Sequence, residues 1–258
     1  MGGMLEGKTV VVTGGSSGIG RGIALVAARH GAKAIVVADL TEEPREGGLP
    51  TAQEAKAMGA EAVFHRTDVS KRDEVDALVE ACIPYGGVDV MACNAAIMVA
   101  SDGVHVPAAD VEALMAVNLY GVLYTAQAAI KQMLELKKKG SVVIMSSGAA
   151  FFGHGSTVAY AASKGAVVQM AKSLADGVGP MGIRVNAVCP GVVDTVLVRG
   201  EETADTHESS AGFLQTSPLR RIGEPAEVGE AVAWLGSDYS SYVTGVALPV
   251  DGGLAATR

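Results

Sequence analysis

Lys8-Thr9-Val10-Val11-Val12-Thr13 runs straight into Gly14-Gly15-Ser16-Ser17-Gly18-Ile19-Gly20. The first six residues are a short β-branched run, which reads as a strand buried on both faces. After the glycine turn, Gly18–His30 carries Ile19, Ile23, Ala24, Val26 and Ala27 and stops at Gly31. That pattern predicts a small-residue helix with a glycine stop.

The same alternation continues outward. Strands are predicted over Ala34–Asp39, Ala62–Thr67, Val88–Ala92, Ser141–Ser146, Ile183–Val188 and Val246–Val250. Helices are predicted over Thr51–Met58, Lys71–Ile83, Ala109–Lys138, Val158–Asp176 and Pro225–Leu235. Thr41–Pro50, broken by Pro44, Gly47, Gly48 and Pro50, reads as a loop. Gly200–Ser217 is polar and weakly periodic, part of a lid-like excursion over about residues 195–217. Strands alternating with helices along the whole chain imply one α/β domain over 1–258: a Rossmann-type, doubly wound parallel sheet with helices on both faces.

Composition narrows the class. The chain has 258 residues, 49% apolar and 19% charged, so it is neither disordered nor highly solvated. Its 33 glycines exceed the usual ~7%. A net charge of −8 argues against nucleic acid or an anionic membrane as the main partner. No apolar run approaches the ~18–20 residues of a membrane span, and the start shows no basic stretch followed by an apolar one. Cys82, Cys93 and Cys189 are odd in number and far apart. They read as reduced, buried thiols of a cytoplasmic protein, with no disulfide framework and no metal site.

The glycines of the first turn run G-G-x-x-G-x-G. They permit a tight turn and let the backbone approach a pyrophosphate at a helix N-terminus. Asp39 ends the second strand 25 residues after Gly14, near the ~20-residue offset of an acid that binds an adenosine ribose. Its carboxylate accepts from ribose hydroxyls and repels a 2′-phosphate. No basic residue stands at Ser17 or Leu40 to invite that phosphate, so NAD(H) is predicted over NADP(H).

Tyr160 and Lys164, four apart, share a helix face. A neighbouring ammonium favours phenolate and lowers the phenol pKa from ~10. Tyr160 then serves as general acid to a carbonyl or base to an alcohol.

Together these residues resemble the short-chain dehydrogenase/reductase family over nearly the whole chain. Thr13–Gly20 is similar to its T-G-x-x-x-G-I-G loop, in which Gly14, Ser16, Ser17, Gly18, Ile19 and Gly20 would hold the cofactor beside Asp39 and Leu40. Asp68-Val69 resembles the pair at the adenine. Asn94-Ala95-Ala96 occupies the place of an N-A-G element, Ala96 adding a methyl where glycine is usual and Cys93 replacing a common Asn. Pro190-Gly191-Val192-Val193-Asp194-Thr195 resembles the element at the nicotinamide, assigning Pro190, Gly191, Val193 and Thr195 to cofactor binding.

The resemblance also implies four catalytic residues. Tyr160 exchanges the proton. Lys164 lowers its pKa and binds the nicotinamide ribose. Ser147, 13 residues before Tyr160, bonds the substrate oxygen. Asn118 holds a water that relays protons to Lys164. The Tyr-x-x-x-Lys spacing speaks against the enoyl reductase branch.

By the same resemblance the substrate pocket draws on Ala149, Phe151, Phe152 and His154, on Ile97 and Met98, and on Val196, Leu197, Phe213 and Leu214. Ala149, His154, Val196 and Phe213 are the named candidates; each also reads as packing, and His154 as solvent-facing. The lining is mostly apolar, which suits a hydroxysteroid or cyclic alcohol. The alternatives are a β-ketoacyl carrier-protein reductase, disfavoured by Asp39 and the acidic balance, and a catalytically silent nucleotide sensor, disfavoured by the intact tetrad. The family implies a homotetramer or dimer joined through the helices of Asn118 and Tyr160.

Overall fold

β1 (Thr9–Thr13) is buried along its whole length and pairs with parallel partners on both sides. A strand covered on both faces needs apolar residues without alternation, and Val10, Val11 and Val12 supply them. This computed structural model describes residues 2–99, 102–153, 155–196 and 217–257.

The elements follow in chain order as α1 (Gly18–Arg29), β2 (Ala34–Asp39), α2 (Thr51–Ala57), β3 (Glu61–Arg66), α3 (Arg72–Glu80) and β4 (Val90–Cys93). Then come α4 (Ala108–Met115), a π-helical turn (Ala116–Gly121), α5 (Val122–Glu135), β5 (Gly140–Met145) and α6 (Val158–Val178). β6 (Ile183–Pro190), α7 (Pro225–Gly236) and β7 (Ala247–Val250) complete the described elements. All strand pairs are parallel, in the order β3-β2-β1-β4-β5-β6-β7. This is the Rossmann-type architecture expected from the alternation. The order reverses between β1 and β4, and ligands of such sheets bind outside the strand ends at that reversal.

Two buried clusters flank the sheet. One joins α3, α5 and α6 to Val11, Met91, Val142 and Val185. The other joins α1 and α7 to Val10, Val12, Val143 and Val188. Alternate strand residues thus feed opposite faces.

Two expectations need correction. The long helical stretch is interrupted, because the π-helical turn at Ala116–Gly121 inserts an extra residue per turn. And the stretch Ala108–Glu135 is, by length and composition alone, apolar enough to cross a membrane. Its apolar residues face the sheet: Val122, Ala126, Ala129, Ile130 and Met133 are buried in the first cluster. The stretch packs here as a core helix. Lys137 ends this segment in a left-handed conformation (φ 53°), and the Lys138 ammonium binds Asp89 and the Gly86 carbonyl, each at 2.7 Å.

Candidate active site

At the reversal, side chains tie the ends of β1 and β4 together. The Thr13 hydroxyl accepts from the N–H of Asn94 at 3.0 Å and of Ala95 at 3.2 Å. The Asn94 amide donates to the carbonyls of Thr13 and Gly14, at 3.0 and 3.1 Å. Gly14 takes φ 63°, and a Cβ there would stand 2.9 Å from the Ala95 Cα. Dihedral and space both demand glycine. The turn then presents the N-terminus of α1, whose first turn carries no acidic side chain. Such an end favours an anion.

A cleft of about 360 Å³ runs over this turn. Its outer end is walled by Ser16, Ser17, Asp39, Leu40, Thr41 and Arg45. The Asp39 carboxylate accepts from the N–H groups of Ser16 (3.1 Å) and Leu40 (2.8 Å), which fix it at the end of β2. The middle is lined by Gly14, Gly18, Ile19, Asn94, Ala95 and Ala96, with Asp68 and Val69 at one side. Asp68 bonds Ser70 through both its N–H and its hydroxyl. Tyr160, Lys164, Met145, Ser146, Pro190, Thr195 and Val196 form the inner end.

Lys164 is only 2% exposed. Its ammonium donates to the Met145 carbonyl at 2.9 Å and lies 5.5 Å from the centre of the half-buried Tyr160 ring. One α6 face therefore brings them together, as their spacing predicts. Burial pulls the Lys164 pKa down from the usual 10.5 to about 8. The adjacent Cys189 thiol is pushed up to about 11, also by burial. All three cysteines are free and buried.

Other expected residues stand elsewhere. The Asn118 side chain is fully buried in the π-helical turn and is committed to Ile97, accepting from its N–H at 2.9 Å and donating to its carbonyl at 2.8 Å. Ser147 does not line the cleft; its Oγ accepts from the Ala149 N–H at 3.2 Å, and both residues belong to the turn after β5. Gly20 is buried inside α1, where a Cβ would strike Gly14. Gly191 packs on Asp251, and Val193 is a core residue bridged to Gly223. These three support the cleft from behind. His154, Leu197, Phe213 and Leu214, with most of the 195–217 excursion, lie outside the described residues.

Sequence reasoning missed Ser146 and Arg45. The Ser146 hydroxyl donates to the Lys164 carbonyl at 2.8 Å and so anchors α6 to the end of β5. Adjacent Ser146 and Ser147 face opposite ways, and which of the two turns toward α6 depends on where β5 ends, at Met145. Arg45 had no local signal, because it reaches the cleft by the folding of a loop. Among the described residues no cluster of His, Cys, Asp or Glu fits a metal ion.

Comparison with known proteins is consistent across the chain. The family model described as enoyl-(acyl carrier protein) reductase matches residues 14–255. A protein from Eggerthella lenta named 3beta-hydroxysteroid dehydrogenase 1 is 39% identical over 97% of this chain and 94% of its own. L-rhamnose 1-dehydrogenase (NAD(P)(+)) of Azotobacter vinelandii is 36% identical over 97% of this chain and 98% of its own. A crystal structure of a short-chain type dehydrogenase/reductase from Mycobacterium marinum superposes with a TM-score of 0.88 at 33% identity, covering 97% of this chain and 96% of that one.

Proposed function

The chain belongs to the short-chain dehydrogenase/reductase family and is an oxidoreductase, and from that premise we propose that it interconverts a secondary alcohol and a ketone with NAD(H). The observation that carries this reading is the inner end of the cleft, where a half-buried phenol lies over a buried ammonium. When bound, NAD(H) supplies or accepts the hydride.

The chain's own groups do the rest. The glycine turn and the α1 N-terminus fit a pyrophosphate, and Asp39 fits a ribose diol. Lys164 favours the phenolate of Tyr160 and would bind the nicotinamide ribose. Tyr160 gives a proton to the carbonyl oxygen or takes one from the alcohol. Asn118 holds the chain at Ile97 through both ends of its amide. A relay water there would rest on main-chain atoms. Ser147 would meet the substrate oxygen from the turn after β5.

Ile97, Val117 and Val196 give the inner cleft apolar walls. They support a hydrophobic substrate of the hydroxysteroid or cyclic alcohol class over a sugar. The four-residue step from Tyr160 to Lys164 supports alcohol–ketone chemistry over enoyl reduction. We also infer an oligomer joined through the stretch that carries Asn118 and α5 and through α6, where Tyr120 of the π-helical turn, Leu134 of α5 and Val158 of α6 are exposed. Light scattering after gel filtration should give a mass above one chain.

The test is nicotinamide turnover by the purified protein across hydroxysteroids, cyclic alcohols, diols and sugars, with Tyr160→Phe beside it. NAD-linked turnover with a hydrophobic alcohol, reduced by about 10²-fold or more in the variant, is expected. Turnover that survives Tyr160→Phe would refute the assignment.

A further inference from the structure

α1 begins without a cap of its own. Ser17 stands at the N-cap position, but its hydroxyl makes no bond to the first turn and instead accepts from the Arg45 N–H at 2.8 Å. The first intrahelical bond runs from the Arg21 N–H to the Ser17 carbonyl, so the N–H groups of Gly18, Ile19 and Gly20 have no acceptor within the helix. No acid of the first turn offsets them. The negative charge comes from outside the helix: the Glu46 carboxylate, 28 residues further on, accepts from the Gly18 N–H at 2.9 Å.

The loop that brings Glu46 there, residues 40–50, is fixed to the glycine turn. The Ser16 hydroxyl donates to the Thr41 carbonyl at 2.7 Å, and Pro44 is buried. Arg21 donates to the Leu49 carbonyl at 2.9 Å and to the Thr51 hydroxyl at 3.0 Å. Its guanidinium pairs with Glu54 and stands 4.0 Å from Glu46. One cation thus serves two carboxylates. On the cleft side Asp39 and Glu43 outnumber Arg45, so negative charge remains around the turn. Gly18 lines the cleft of Asp39 and Tyr160 on one side and, on the other, a hollow of about 560 Å³ shared with Arg21, Glu46 and Glu54. The hollow leaves the Glu46 carboxylate room to move from Gly18 toward Arg21.

We propose that Glu46 is an internal competitor of the cofactor's pyrophosphate: it takes up a main-chain donor of the phosphate turn, and dinucleotide binding costs the Glu46–Gly18 contact. This rests on reading the cleft as a nicotinamide dinucleotide site. A helix N-terminus attracts a carboxylate and a phosphate through the same partial charge, so each weakens the hold on the other. The contact keeps cofactor affinity below what the turn alone would give. It acts through the pyrophosphate, which NAD(H) and NADP(H) share, and is therefore separate from the choice between them.

Calorimetric titration with NAD+, NADP+ and adenosine tests this without any substrate, using the wild type, Glu46→Gln and Glu46→Ala, each checked by circular dichroism. Glu46→Gln keeps an acceptor for the Gly18 N–H and removes only the charge. Both dinucleotides should bind about fivefold tighter to Glu46→Gln, the gain expected from removing one competing charge at a helix end. That gain should shrink at high salt. Adenosine, which has no phosphate, should stay within about twofold of its wild-type affinity. Glu46→Ala, which also removes the contact, should bind the dinucleotides at least as tightly as Glu46→Gln. Unchanged or weaker dinucleotide binding to Glu46→Gln would overturn the proposal, as would equal tightening of adenosine. Weaker binding to Glu46→Ala would make Glu46 a prop of the loop and would overturn it too. These results leave the cleft assignment standing. Failure of all three proteins to bind either dinucleotide would overturn the cleft assignment itself, and this proposal with it.

Discussion

The two sides of the strand-order reversal hold their polar groups in opposite ways. On the β1–β2 side, charges sit near solvent against main-chain N–H groups: Asp39 on Ser16 and Leu40, Glu46 on Gly18. On the β4–β6 side, the polar groups are buried and bonded within the protein: Lys164 to Met145, Ser146 to Lys164, Asn118 to Ile97. Water screens charges on the first side, so they tune selectivity at little structural cost. On the second side, desolvation makes each polar group costly to bury and more costly to strand. Under the proposed function, cofactor choice is therefore the adjustable property of this molecule, and the Tyr160–Lys164 end is the rigid one.

The largest expected effect is at Lys164. Its folded-state pKa lies near 8 against the usual 10.5 because burial penalises the charge. Below about pH 8 the folded state bears that penalty in full, and it is relieved as pH rises toward 10.5. Lys164→Met removes the penalty at every pH. The stability difference between variant and wild type should shrink by about 3 kcal/mol from pH 7 to pH 10.5, measured by urea unfolding. A difference that does not move with pH would mean that this side of the molecule is wetter than described.

Ser146→Ala comes next. It removes the hydroxyl bond to the Lys164 carbonyl, which keeps its helical partner within α6, and should cost about 1 kcal/mol. It should also lower kcat more than it raises KM, because the α6 face that presents Tyr160 loses an anchor. Asp39→Ala, on the outer side, should leave stability almost unchanged and raise kcat/KM for NADP(H) by about tenfold relative to NAD(H), a change of roughly 1.4 kcal/mol. Loss of folding stability equal to that of Ser146→Ala would erase the contrast between the two sides.

The smallest effect is at the surface, at the start of α7. Glu227 accepts from the Glu224 N–H at 2.8 Å and from the Arg221 guanidinium at 2.6 and 2.7 Å. These bonds hold its carboxyl down to about 2, the Arg221 bond contributing most. A depressed carboxyl stabilises the fold above its ordinary pKa and loses that contribution as pH falls toward 2. The group is largely exposed, so Glu227→Gln should cost only about 0.5 kcal/mol at pH 7, and the gap should close in thermal melts below pH 4.

Much of this was legible beforehand because it depends on local pattern. The continuous apolar runs at Val10–Val12 and Ile35–Val37 could only be strands covered on both faces. The i, i+4 step put Tyr160 and Lys164 on one helical face, and Asp39 was marked by its place at a strand end. The π-helical turn at Asn118 was not legible, since its composition matches the α-helix on either side. Nor was Ser146 separable from Ser147, because the boundary of β5 decides which of the two faces α6.

What the sequence by itself determined is the alternation of elements, the parallel sheet they must form, and a Tyr–Lys pair on one helix face beside a glycine-rich turn. These follow from periodicity and from spacings of a few residues. Only the tertiary structure decided that Asn118 grips Ile97, that Lys164 is dry enough to approach neutrality, and that Arg45 stands beside Ser17, 28 residues away in sequence. Desolvation and long-range approach depend on how distant segments pack around a group, and no spacing along the chain encodes that packing.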